Sequence, residues 1–187
     1  LNAEIEMRDV AIVFAGEKFT DQHIIQKRTQ LDLYCEPTLL TVFTDDPARV
    51  TGLGLRDTRA VLLPTWHLEP RQMWWYKLFM FAGSTKWQSD DVLYMDLDTI
   101  IVDSVEKFYD YQSGKFCICQ DFNRAFIREY PISNSSVIRF NPKEHTDIYD
   151  YFTENMPISF VTIEVIRIIL LGGLKNASCI GGPENGQ

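Results

Sequence analysis

Two carboxylates one residue apart, Asp96 and Asp98, stand between an apolar run, Val92-Leu93-Tyr94-Met95, and a second, β-branched run, Thr99-Ile100-Ile101-Val102. The first run reads as a buried strand. It places both acids at a carboxyl end, where open α/β sheets carry their ligand sites. Residues i and i+2 of an extended segment share a face, so the two carboxylates are expected to converge. Bare carboxylates held close repel each other and resist desolvation. A hard divalent cation removes that cost, so the chemistry suggested is metal binding through oxygen. An Asp-x-Asp triplet by itself occurs by chance. The apolar runs on either side separate this one from ordinary surface acids at a strand end.

The elements that must position the pair follow from the pattern around it. Asp9 to Ala15 is a β-branched run closed by Gly16 and reads as a buried strand. Thr20 can cap a helix to about Leu33, with Ile24, Arg28 and Leu31 at helical spacing. Thr38 to Thr44 is a second strand closed by Asp45-Asp46-Pro47, and Thr51 to Thr58 is a loop or short helix. Val61 to Leu63 is a third strand, Arg71 to Phe81 an aromatic-rich helix, and Asp91 to Met95 the strand that leads into the acids. Beyond them, Ser104 caps a short helix carrying Val105, Phe108 and Tyr109, and Lys115 to Gln120 is a strand. Residues 121–133 read as irregular, and Ser135 to Phe140 as a strand. Asn141-Pro142-Lys143-Glu144 carries helix-start signals, predicting a helix from there to about Asn155. Val161 to Leu171 fits a buried strand or a helix equally well. Strands alternating with helices imply an α/β sheet covered on both faces.

Composition narrows the function classes. The 187 residues are most simply one domain with a sizeable core, and the formal charge of −8 argues against nucleic acid as a partner. An acidic protein that binds an anionic ligand needs a local positive device, either a metal or well-placed Lys and Arg. Cys35, Cys117, Cys119 and Cys179 form no disulfide framework and no Cys-x-x-Cys, a pattern consistent with a reducing compartment and a cytoplasmic protein. Three scattered His give no zinc spacing. Charges interrupt the N-terminus, so no signal peptide is read there. The longest apolar stretch, Ile158 to Leu171, is too short and too charged to be a transmembrane segment.

Asp96-Leu97-Asp98 at a strand end resembles the DxD motif of GT-A-fold glycosyltransferases, and other segments match in order. Val10-Ala11-Ile12-Val13-Phe14-Ala15-Gly16 resembles the first nucleotide-binding strand, and Val42-Phe43-Thr44-Asp45-Asp46 the end of the second. Trp74-Trp75-Tyr76-Lys77-Leu78 resembles the helix that brings a basic residue to the diphosphate, and Asn134-Ser135-Ser136-Val137-Ile138-Arg139-Phe140 a strand beyond the motif. The resemblance spans about residues 9–152. It is nearest to little-characterised bacterial and viral members, and more distant to the glycogenin and galactosyltransferase group. It implies a GT-A-type, Rossmann-like αβα sandwich on a mixed, mostly parallel sheet. That single domain would span 1–187, truncated or divergent after about 160.

The resemblance also implies roles. Asp98 would ligate the metal directly, and Asp96 would ligate it or bind the ribose. Manganese is the expected ion and magnesium the alternative, acting on the departing diphosphate. Lys77 would contact the diphosphate as a point charge, or else be a surface lysine whose stem covers apolar neighbours. Trp75, with Trp74, would stack on base or sugar, or pack in the core. Ala15 and Gly16 would let the backbone approach a uracil or ribose, or form an ordinary turn. Thr44, Asp45 and Asp46 would bond base or ribose, although a helix start before Pro47 explains the same letters. By the strand-end rule Asp121, Asn134 and Ser135 would line the sugar and acceptor pocket, with Asp121 a candidate catalytic carboxylate, or else a buried Asn or Asp there would satisfy loop backbone groups. Arg124 and Arg128 would guard an anionic acceptor, or sit on a mobile surface loop, the reading preferred.

The expected function is metal-dependent transfer of a hexosyl group from a UDP-sugar to the hydroxyl of a carbohydrate or other acceptor. The alternatives are a sugar-nucleotide-binding module without turnover and, on the same fold, a nucleotidyltransferase. Against the last, Gly16-Glu17-Lys18 is sparse for a phosphate loop. The segment from Val161 onward lacks the acidic and His-containing elements of the resembled enzymes. The last ten or so residues are therefore expected to be poorly packed, leaving the acceptor side open to water and favouring slow hydrolysis.

Overall fold

The computed structural model describes residues 7–35, 37–66, 70–120, 133–155 and 178–180. Its strands are β1 (Arg8–Phe14), β2 (Thr38–Thr44), β3 (Thr58–Leu62), β4 (Val92–Met95), β5 (Cys117–Gln120), β6 (Ser133–Phe140) and β7 (Ser178–Ile180). They form one sheet in the order β3-β2-β1-β4-β6-β5-β7. β1 pairs in parallel with β2 and β4, and β2 with β3. β6 runs antiparallel to β4 and β5, and β7 parallel to β5. The sheet is thus mixed and mostly parallel, as the alternation of strand and helix predicts.

The helices are α1 (Asp21–Tyr34), α2 (Pro47–Gly52), α3 (Glu106–Asp110) and α4 (Thr146–Asn155), with a 3₁₀ helix over Pro70–Phe81. Both sheet faces are covered, which is why the inner strands lack an alternating polar pattern; every residue of β2 is buried, its three threonines included. Ala11, Phe43, Tyr94 and Ile138 meet the 3₁₀ helix and α4 through Leu78, Phe81 and Phe152. Val10, Ile12, Val42 and Leu93 meet α1, α2 and α3 through Ile24, Leu31, Val50 and Tyr109. Strand residues of opposite parity thereby supply two separate cores.

Buried polar groups fix the loops around β4. Asp9 is fully buried and accepts from the Gln88 and Ser89 backbone N–H groups at 2.6 and 2.7 Å. Arg139 of β6, also fully buried, donates to the carbonyls of Phe108, Tyr109 and Gln112, each at 2.6 Å. Its guanidinium thereby satisfies carbonyls at and beyond the end of α3 that the short helix leaves open.

The aromatic helix expected over Arg71 to Phe81 is present over Pro70–Phe81; it is 3₁₀, which aligns residues three apart into rows. Other expectations need correction. α4 begins at Thr146, five residues after the expected start at Asn141. Asn141 instead organises a turn: its Oδ1 accepts from Lys143 N at 2.9 Å and its carbonyl from Glu144 N at 3.2 Å. The same Asx chemistry serves turns and helix caps, so the letters could not choose between them. The third strand starts at Thr58, earlier than Val61. Within the last ten residues, Ser178–Ile180 extends the sheet beside β5 rather than lying unpacked. Val161 to Leu171 and the residues from 181 onward lie outside the described residues.

Candidate functional site

A cavity of about 480 Å³ opens where the segments after β1 and β4 approach the 3₁₀ helix. The end of β1 and its loop contribute Val13, Ala15, Gly16, Glu17, Lys18 and Phe19. The 3₁₀ helix contributes Met73, Trp74 and Lys77, and β4 with its following turn contributes Tyr94, Asp96, Leu97 and Asp98. The lining combines apolar and aromatic side chains with three carboxylates, Glu17, Asp96 and Asp98, and two ammonium groups, Lys18 and Lys77.

Asp96 and Asp98 do reach the same cavity, but not as neighbours on an extended strand. β4 ends at Met95, and the Thr99 N–H bonds the Asp96 carbonyl at 3.0 Å, closing a turn over Leu97 and Asp98. Asp96 Oδ1 accepts from Lys77 Nζ at 3.0 Å and from the Tyr94 hydroxyl at 2.5 Å. Asp98 Oδ2 accepts from Lys18 Nζ at 3.0 Å, and this bond holds the Asp98 carboxyl below its usual range. Burial, and then the charge of Asp96, push the Tyr94 phenol well above its usual range, so it remains a donor.

Lys77 is not a surface lysine. It is buried, and besides Asp96 it donates to Ser135 Oγ at 3.0 Å and the Ser135 carbonyl at 3.2 Å. The 3₁₀ row of three places Trp74 beside Lys77 on the cavity, while Trp75 shares its row with Leu78 and Phe81 and turns into the core. Trp75 stacks on Phe152 with ring centroids 5.3 Å apart, so of its two readings the structure gives core packing.

The remaining candidates separate into cavity, support and elsewhere. Ala15 and Gly16 line the cavity, and Gly16 has a φ of +68° that favours glycine. Asp45 Oδ2 accepts from the Gly16 N–H at 2.9 Å, so Asp45 shapes the loop rather than lining the cavity. Thr44 is buried; its Oγ1 accepts from Asp46 N at 3.1 Å, and Asp46 Oδ1 from Arg49 N at 3.0 Å, which is a helix start. Asn134 Oδ1 accepts from Ser136 N at 2.8 Å within β6, and Ser135 reaches the site through Lys77. Asp121, Arg124 and Arg128 lie outside the described residues.

Sequence reading missed two lysines. Lys18 faces Asp98 from the β1–α1 loop. Lys27 of α1 is 1 % exposed and donates to the carbonyls of Asp96 and Thr99. Burial pushes its ammonium down to about 8, against the pull of Asp98 and Asp96. The available signal was its place between Ile24 and Leu31 on the buried stripe of α1.

Among the described residues, no cluster of three or more His, Cys, Asp or Glu could hold a metal unaided. Two carboxylates fit a hard cation that arrives with phosphate oxygens, as magnesium commonly does. The lysines engage one oxygen of each carboxylate, Oδ1 of Asp96 and Oδ2 of Asp98.

No protein-family model and no curated protein matches this sequence. Solved structures do. The active-site mutant Q189E of LgtC aligns with a TM-score of 0.65 at 13% identity, over 91% of this chain and 72% of that one. The glycosyltransferase GlyE of Streptococcus pneumoniae TIGR4 aligns with a TM-score of 0.63 at 15% identity, over 92% of this chain but 45% of GlyE, so the chain spans less than half of that protein. The 4-diphosphocytidyl-2C-methyl-D-erythritol synthase of Anaerococcus prevotii aligns with a TM-score of 0.58 at 11% identity, over 95% of this chain and 90% of that one. At these identities the likeness concerns the fold: a GT-A, Rossmann-like fold used by glycosyltransferases and also found in a nucleotidyl-transferring synthase. Among the described residues no helix is long and apolar enough to cross a membrane.

Proposed function

We propose that this domain transfers a hexosyl group from a UDP-linked sugar to an acceptor hydroxyl, with manganese or magnesium on the diphosphate. The observation that carries the reading is the meeting of Asp96, Asp98 and Lys77 in one cavity beside the small-residue turn at Ala15 and Gly16. A diphosphate needs both a cation and a directional ammonium, and an acidic protein must assemble them locally. Asp96 and Asp98 would hold the metal, which when bound acts as a Lewis acid toward the leaving diphosphate. Lys77, already desolvated, would shift part of its bonding from Asp96 to a phosphate oxygen. Trp74, Phe19 and Met73 would exclude water from the nucleoside end.

A rival reading has its own support. Each carboxylate already has an ammonium partner, which suits a sugar-nucleotide-binding module that performs no chemistry. One experiment separates the two: titrate nucleoside diphosphates and UDP-sugars by calorimetry with and without manganese, then measure UDP release with and without sugar acceptors. Manganese-dependent UDP binding with release supports the transferase. Saturable binding with no release over many hours supports the module. Binding of nucleoside triphosphates with pyrophosphate release would favour nucleotidyl transfer.

A further inference from the structure

Helix α1 holds the metal-binding turn by its backbone. Lys27 and Gln30, three residues apart, project from one side of α1 onto the main chain of residues 96–101. Lys27 Nζ lies 3.4 Å from the Asp96 carbonyl and donates to the Thr99 carbonyl, the two ends of the turn that carries Asp98. Gln30 Oε1 accepts from the Ile101 N–H at 3.1 Å. A lysine that is 1 % exposed is a costly occupant of a buried helix face, where an aliphatic residue would pack at less cost. Neither bond is made to another side chain, so neither can be explained as an ion pair that merely staples two elements.

We propose that Lys27 is a positioning residue whose buried ammonium sets the separation of Asp96 and Asp98 before any ligand arrives. The two carbonyls converge on one nitrogen, which ties the two ends of the turn together. α1 also follows directly on the loop Gly16–Phe19, which lines the cavity and reaches Asp98 through Lys18. The same helix therefore ties both cavity-lining segments together. This inference rests on the proposed use of the cavity for a metal and a diphosphate.

Lys27→Met keeps the aliphatic bulk and removes the donor. Three measurements on the intact chain test the role: manganese titration by electron paramagnetic resonance, UDP binding by calorimetry with manganese, and amide exchange at Thr99 without ligand. We expect the variant to fold, to exchange the Thr99 amide faster, and to lose roughly 10–100-fold in manganese–UDP affinity, as when partners that orient metal ligands are removed. A purely structural lysine would lower the melting temperature and leave the affinity unchanged, and that result overturns the proposal. Should Lys27→Met fail to fold, Gln30→Leu carries the test. It should weaken manganese–UDP binding in the same direction by a smaller factor, and unchanged affinity there overturns the proposal too. Wild-type protein that binds no UDP with manganese would instead overturn the glycosyl-transfer reading. Wild-type binding with equal binding by a folded variant overturns the Lys27 role alone.

Discussion

Lys77 Nζ lies 3.0 Å from Asp96 Oδ1, with 7 % of the lysine side chain exposed and 27 % of the aspartate's. The pair joins the 3₁₀ helix to the turn after β4 and adds Ser135 of β6 as a third member. It is thus part of the fold as well as of the cavity, and its removal should be felt in both.

Lys77→Ala should weaken UDP-sugar binding by roughly 1–3 kcal/mol, the range for a bond to a charged group or the loss of its partner. The same substitution should also lower stability, because the partly buried Asp96 carboxylate keeps only the Tyr94 hydroxyl of these two donors. Urea denaturation of Lys77→Ala, Asp96→Asn and the double variant should show non-additivity, the two sites being in contact. Additive effects would mean the pair carries no coupling.

Asp98→Ala should separate binding from folding. Asp98 is half exposed and its described partner is an exposed lysine, so its loss should change stability by no more than about 1 kcal/mol. UDP affinity measured with manganese should fall to the value measured with EDTA. Equal affinity of the wild type under the two conditions would exclude a metal-dependent site.

Gly16→Ala should destabilise the protein by about 1–2 kcal/mol, the cost of a left-handed backbone for a residue with a Cβ. The added carbon would also lie 3.2 Å from Cε of Met73, which lines the same cavity. Thermal denaturation checks the first effect, and UDP calorimetry the second. An unchanged melting temperature would show that the turn relaxes to another conformation.

Cys35 should resist alkylation in the native protein. The residue is buried, and burial raises its thiol above the ordinary range, so the reactive thiolate is scarce at pH 8. Since the unfolded chain loses this proton first as pH rises, the group contributes stability below the ordinary thiol range and loses it above. Mass spectrometry after iodoacetamide should find Cys35 unmodified in buffer and modified in urea. Rapid native modification would indicate local opening around α1.

What the sequence alone determined is what repeats or runs. The buried strand β2 was readable over Thr38–Thr44 because every position is buried, leaving a run of apolar and β-branched residues with no charge. The strand leading to Asp96 was readable for the same reason, and the cap at Thr20 from its place before a helical period. Those elements suffice for an α/β sheet with two acids at a strand end. Only the tertiary structure decided what the acids face. Asp96 and Asp98 share a cavity through a turn that Lys27 holds from a helix about 70 residues away, a pairing that no local spacing encodes. Trp74 and Trp75 are identical letters, and only the 3₁₀ rows put one at the cavity and the other in the core. Lys77 reads as a surface lysine until packing removes its water and supplies Asp96 and Ser135. Even where a charged residue falls on a buried stripe, as Lys27 does, its role is set by partners distant in sequence, and those become neighbours only when the sheet is assembled.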